Sequence, residues 1–89
     1  MIHINVPMAR SARGNKDLAA EFGRRVRKHR EALGLSQEKL AEAAGVHRTY
    51  IGHLERGESS PTLFNLVRIA EALKIDPGDL VSRMRIKSR

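Results

Sequence analysis

The segment Gln37–Arg56, QEKLAEAAGVHRTYIGHLER, constrains the fold of this chain more than any other stretch. It reads as two short helices joined by a turn with Gly45 at its pivot. Two helices so close in sequence must approach each other closely in space. Ala41 is small where they meet, and Val46, Ile51 and Leu54 recur at the spacing that anchors the second helix against the first. That arrangement leaves Arg48, Thr49, Gly52 and His53 facing outward.

The rest of the chain supplies a scaffold of the same kind. Leu18, Phe22, Val26 and Leu33, with Ala19 and Ala32 alongside, predict a helix over 17–33, with Asn15 as its N-cap and Gly34 as the residue that ends it. Ser36 is placed to cap the next helix, which turns Leu40, Ala41 and Ala44 inward. Lys39 stands where a full capping box would have glutamate. His47 caps the third helix, Val46 and Ile51 have the spacing of a hydrophobic staple, and Gly57 closes it. After the loop Glu58–Pro61, a fourth helix over 62–73 has Leu63, Leu66, Val67, Ala70 and Leu73 as its apolar stripe. A short fifth opens at Asp76 with Pro77 in its first position, and Ile75 and Leu80 again have staple spacing. No stretch alternates as a strand does, so the expectation is an all-α domain of five helices over 17–84, with a basic arm before it (1–16) and a basic tail after it (85–89). Residues 1–16 are either a disordered terminus or an arm that follows a polyanion or pairs with a partner chain.

Charge narrows the function. The 89 residues carry a net charge of +7, distributed as +5 over 1–35, −1 over 36–60 and +3 over 61–89. A nearly neutral central unit between basic flanks suits a protein whose flanks hold phosphates while its centre reads bases. A rigid helix presenting short polar side chains from its N-terminal half fits the width of the DNA major groove. Aromatics are limited to Phe22, Tyr50 and Phe64, too few for the stacking platforms that bind single strands. The absence of cysteine excludes disulfides and thiolate metal sites and accords with a reducing, cytoplasmic setting. No stretch has the length of a membrane span, and the N-terminus lacks the apolar run of a secretory signal. The four histidines show no metal-ligand spacing and nothing arranges Ser, His and Asp for catalysis, so an enzyme or a cofactor-dependent protein is not expected.

Taken together and in order, GLSQEKLAEAAGV, HRTYIGHLERG, SPTLFNLVRIAEAL and IDPGDL closely resemble the helix-turn-helix domain of the phage-repressor and Cro-like regulators, the XRE family. The resemblance covers about three-quarters of the chain and implies a lambda-repressor-like fold. HRTYI is also similar to the opening of the recognition helix in controller proteins of restriction–modification systems, which are short single-domain members. The resemblance implies a transcriptional regulator that binds double-stranded DNA as a homodimer on a palindromic operator. It makes Arg48 and Thr49 base readers, with His53 one turn further on the same face. It gives Gln37 a backbone phosphate and a bracing role, and leaves His47, Tyr50, Ser59, Ser60, Thr62 and Asn65 to the sugar-phosphate chain. Arginine can donate two hydrogen bonds to guanine, and threonine offers a methyl to thymine. Arg30 and Glu55 match positions that pair in related repressors. Since no further domain follows Leu80, self-association is expected through Ile75, Leu80, Val81, Met84 and Ile86. The competing reading from another class is an antitoxin or adaptor whose main partner is a protein.

Overall fold

The computed structural model describes residues 8–86, and all regular structure among them is helical: α1 (Met8–Ala32), α2 (Gln37–Ala44), α3 (Arg48–Glu55), α4 (Leu63–Leu73) and α5 (Pro77–Val81). Packing links α1 to α3 and α5, α2 to α3 and α4, and α4 to α5. Phe22, Val26, Leu40, Ile51, Leu54, Ile69, Leu73 and Leu80 fill the interior, with Val46, Tyr50, Leu66, Ile75 and Met84 packed against its edge. Complete burial of an aliphatic side chain contributes on the order of 1.5–3 kcal/mol. Leu80 is fully buried, and a helix as short as α5 depends on such an anchor because isolated turns do not persist in water.

The caps follow the sequence closely. Ser36 Oγ accepts from the Lys39 amide at 3.0 Å, Thr62 Oγ1 from the Asn65 amide at 3.1 Å, and Asp76 Oδ1 from the Gly78 amide at 2.9 Å. Pro77 takes the first position of α5, where no amide hydrogen is needed. His47 stands at the N-cap of α3 with extended backbone and makes no side-chain cap bond among the described residues. At the pivot, Gly45 is left-handed (φ 73°), and the Val46 amide donates to the Ala41 carbonyl at 2.9 Å, closing α2 in a Schellman-type turn. Lys74 holds the same left-handed geometry at the end of α4 (φ 61°), where a glycine would adopt it without strain.

Three expectations are corrected. α1 begins at Met8, so residues 8–16, expected as part of an arm, are helical and Asn15 lies within the helix rather than capping it. Alanine, arginine and lysine favour helix by intrinsic propensity without leaving an apolar stripe for the eye to follow. Residues 1–7 and 87–89, the remainder of the arm and of the tail, lie outside the described residues. Leu33 is 47% exposed, since α1 makes its last inward contact one turn earlier, at Arg30. Leu63 is 77% exposed: it stands at the first residue of α4, at the flank of a stripe that runs through Leu66, Ile69, Ala70 and Leu73.

α1 approaches the backbone of α3 closely at Gly23. A β-carbon there would collide with the Leu54 carbonyl oxygen and lie 2.8 Å from that of Glu55. Both obstacles are backbone, so α1 and α3 would have to part. Gly23→Ala is expected to lower stability by about 1–3 kcal/mol despite alanine's better helix propensity, as overpacking does. Denaturant unfolding of the two proteins measures it, and an unchanged or raised midpoint would contradict the packing described.

Candidate nucleic-acid interface

The geometry of the outer face starts from a buried charge. Arg30, at the end of α1, donates from Nε to Glu55 Oε2 at 2.6 Å and from Nη2 to Glu55 Oε1 at 3.0 Å. The Glu55 side chain is 3% exposed and that of Arg30 11%. A third donor, Arg30 Nη1, reaches the Leu35 carbonyl at 2.8 Å, and Gln37 Nε2 donates to Glu55 Oε1 at 3.0 Å. One carboxylate thereby ties together the end of α1, the start of α2 and the end of α3. The hydrogen bonds to Glu55 hold the Arg30 guanidinium above its ordinary pKa, against the opposing effect of burial. The ion pair expected from the resemblance is present, and Gln37 braces it.

Gln37 and Arg48 open onto one cleft. Its volume is about 540 Å³, and Ser36, Gln37 and Glu38 line one side while Arg48, Thr49, Gly52 and Arg56 line the other, with Arg30 at the base. Arg48 and Thr49 are exposed in the first turn of α3. Gly52, expected to face outward, is buried: a β-carbon on it would lie 3.1 Å from Arg56 Nη1. Arg56 folds back along the helix into the space a side chain at 52 would fill. It belongs to this face although sequence reasoning passed it over. The signal was there, since positions 48, 52 and 56 follow one another at intervals of one turn.

The other candidate residues fall into smaller groups. Tyr50 is half-buried against the core, and its hydroxyl accepts from Asn65 Nδ2 at 3.2 Å, which joins α3 to the start of α4. Thr62 caps α4 by accepting from the Asn65 amide, which leaves its hydroxyl hydrogen free to donate. His47 lines a recess beside the pivot with Glu38, Glu42 and Gly45. Ser59 and Ser60 border a separate recess on the α1 side, with Lys16 and Ala19. His53 Nδ1 meets Glu58 Oε1 at 2.6 Å, and Arg56 pairs with the same carboxylate. On the far side of the pivot, Arg68 lies over the Phe64 ring at 5.1 Å from its centre and donates to the Gly45 carbonyl at 3.4 Å. Of the residues expected to mediate self-association, Leu80 is fully buried because it completes the core, so it presents no surface to a partner. Ile75 and Met84 pack against that core, whereas Val81 and Ile86 are exposed.

Two short helices about a left-handed glycine, the second locked to the scaffold and open on its outer face, define a helix-turn-helix transcriptional regulator. The chain belongs to the helix-turn-helix family HTH_3, of XRE type, whose model matches residues 26–80. It is 44% identical over 73 residues to the control protein C.SmaI of Serratia marcescens, covering 82% of this chain and 83% of that protein. The crystal structure of the restriction–modification controller protein C.AhdI from Aeromonas hydrophila shares 45% identity with a TM-score of 0.69, over 70% of this chain and 94% of that one. The P22 c2 repressor, solved in complex with a synthetic operator, shares 33% identity with a TM-score of 0.65, over 68% and 92%. No helix among the described residues is long and apolar enough to cross a membrane.

Two outcomes follow from this geometry. Glu55→Ala leaves Arg30 buried without its partner, and loss of one member of such a pair costs about 3–5 kcal/mol. Denaturant unfolding measures it, and a midpoint equal to the parent's would refute the pairing. The hydrogen bonds from Arg56 and then His53 lower the Glu58 carboxyl from its ordinary 4.5 to about 2. A lowered carboxyl stabilises the fold at pH values above 4.5, and that contribution disappears as pH falls through about 2. A carboxyl-detected NMR titration should show Glu58 titrating at the acid end of the series, and Arg56→Ala should move it upward.

Proposed function

We propose that this chain is a homodimeric regulator that reads a palindromic operator in double-stranded DNA, with α3 in the major groove. The observation that carries the reading is the cleft in which Gln37, at the start of α2, faces Arg48 and Thr49, at the start of α3. Arg48 and Thr49 read base edges, and Gln37 meets a backbone phosphate with the amide hydrogen that Glu55 leaves free. His47, Tyr50, Ser59, Ser60, Thr62 and Asn65 lie along the flanking phosphates, and His53 reaches the same groove at its edge. The +7 net charge supplies the sequence-independent attraction. Val81 and Ile86, with the edges of Ile75 and Met84, form the surface between the two copies. Two-fold symmetry then sets the recognition helices about 34 Å apart, one turn of duplex. The similarity to C.SmaI and C.AhdI favours a controller role within a restriction–modification system. Both relatives and residues point to a DNA-binding protein rather than an enzyme, working in the cytoplasm.

Selection from a randomised duplex library at near-physiological salt tests the reading. An enriched palindrome is expected, and its half-site spacing reports the dimer geometry. Binding without any enriched sequence would refute base reading, and the search would turn to a protein partner. On the selected site, Arg48→Ala should lose about 1–3 kcal/mol and relax preference at one base pair. Equal losses on selected and random duplexes would reduce Arg48 to a phosphate contact.

A further inference from the structure

Glu58 lies just past the end of α3, between the cleft that Arg56 lines and the recess bordered by Ser59 and Ser60, and its placement is built into the backbone. Gly57 is left-handed (φ 74°), its amide donates to the Leu54 carbonyl at 3.0 Å, and the Glu58 amide donates to the His53 carbonyl at 2.9 Å. These two bonds form the Schellman motif that ends α3. A β-carbon at Gly57 would lie 2.9 Å from the Ala20 α-carbon, so α1 backs the turn. The motif delivers the Glu58 carboxylate to two side chains, the His53 imidazole from the last turn of the recognition helix and the Arg56 guanidinium at its end. Oε1 meets His53 Nδ1 at 2.6 Å and Arg56 Nη2 at 3.2 Å, and Oε2 meets Arg56 Nε at 3.0 Å.

An arginine fork and an imidazole converging on two oxygens of one anionic group form the kind of seat that suits the non-bridging oxygens of a phosphodiester. Arg56 also lines the cleft that holds Arg48, Thr49 and Gln37. We propose that Glu58 is an internal stand-in for a DNA phosphate: its carboxylate occupies the seat formed by His53 and Arg56, and a backbone phosphate must displace it. This rests on the DNA-binding reading above. All three side chains are about half exposed, and exposed ion pairs of this kind exchange partners readily. Association with arbitrary duplex depends on charge, so a carboxylate that neutralises two donors weakens it for every sequence. On the operator, base contacts from Arg48 and Thr49 hold the backbone against the seat, and the exchange proceeds. Glu58 thus confines this phosphate contact to the operator complex while lowering affinity for every duplex.

The test compares the parent, Glu58→Gln, Glu58→Gln combined with Arg56→Ala, and Glu71→Gln in the full chain. Glu71 is an exposed carboxylate on the C-terminal half of α4 and controls for the change in net charge. Each protein is titrated with a random-sequence duplex and with the selected site over a range of salt. Glu58→Gln should raise random-duplex affinity by roughly 3–10-fold and steepen the slope of log K against log salt by about 0.9, one further phosphate contact. Affinity for the selected site should rise at least as much, because there the parent breaks the ion pair on binding, but its salt slope should stay the same. The double variant should return the random-duplex slope to the parent's. Glu58→Gln that is indistinguishable from Glu71→Gln, or that leaves the random-duplex salt slope unchanged while the parent binds DNA, would overturn the proposal alone. A parent that binds no duplex at low salt would overturn the DNA-binding reading and this proposal with it.

Discussion

The Glu55 carboxylate is the constraint on which the rest of this structure depends. It accepts from Arg30 on α1 and from Gln37 on α2 while it belongs to α3. A charge so deeply buried is tolerable only when its hydrogen-bonding capacity is met, and here three donors from two other elements meet it. The consequence is orientation rather than added stability. Apolar packing of Ile51 and Leu54 would hold α3 to the core but would allow it to rotate or slide slightly. A bidentate pair specifies one position and one roll angle, and that angle directs Arg48 and Thr49 outward.

The same face shows how small residues and charged residues divide the work. Gly23 lets α1 reach the backbone of α3, and Gly52 leaves room for the Arg56 guanidinium to lie along the helix. Both glycines weaken their helices by about 1 kcal/mol relative to alanine. In each case a side chain would occupy space that another group uses. Gly45 serves the turn in a different way, through its left-handed φ of 73°. Its carbonyl also receives Arg68, so α4 supports the pivot from behind.

Charge is organised at two distances. At long range the basic flanks give a general attraction to polyanions. At contact range the central unit is close to neutral, and two carboxylates beside the reading face are met by donors: Glu55 by Arg30, and Glu58 by Arg56 and His53. The buried pair is permanent because separating it leaves a desolvated charge. The exposed pair can exchange its carboxylate for another anion at little loss. Two ion pairs within one helix-turn-helix therefore have different consequences, and burial is what separates them.

Much of this protein is decided by sequence alone. The five helices, the Ser36 and Asp76 caps, the glycine pivot and the Arg48–Thr49 surface all follow from periodicities and side-chain chemistry that act within a few residues. The beginning of α1 did not follow, because helix propensity without an apolar stripe leaves little pattern to read. The exposure of Leu33 and Leu63 and the burial of Leu80 depended on where neighbouring elements end. The covering of Gly52 by Arg56, and the meeting of His53, Arg56 and Glu58, required the geometry at the end of α3. Local sequence sets what each segment can become, since capping and helical spacing are short-range effects. Only tertiary structure decides which charge is buried and which is free to meet a partner, since solvation is a property of the surroundings.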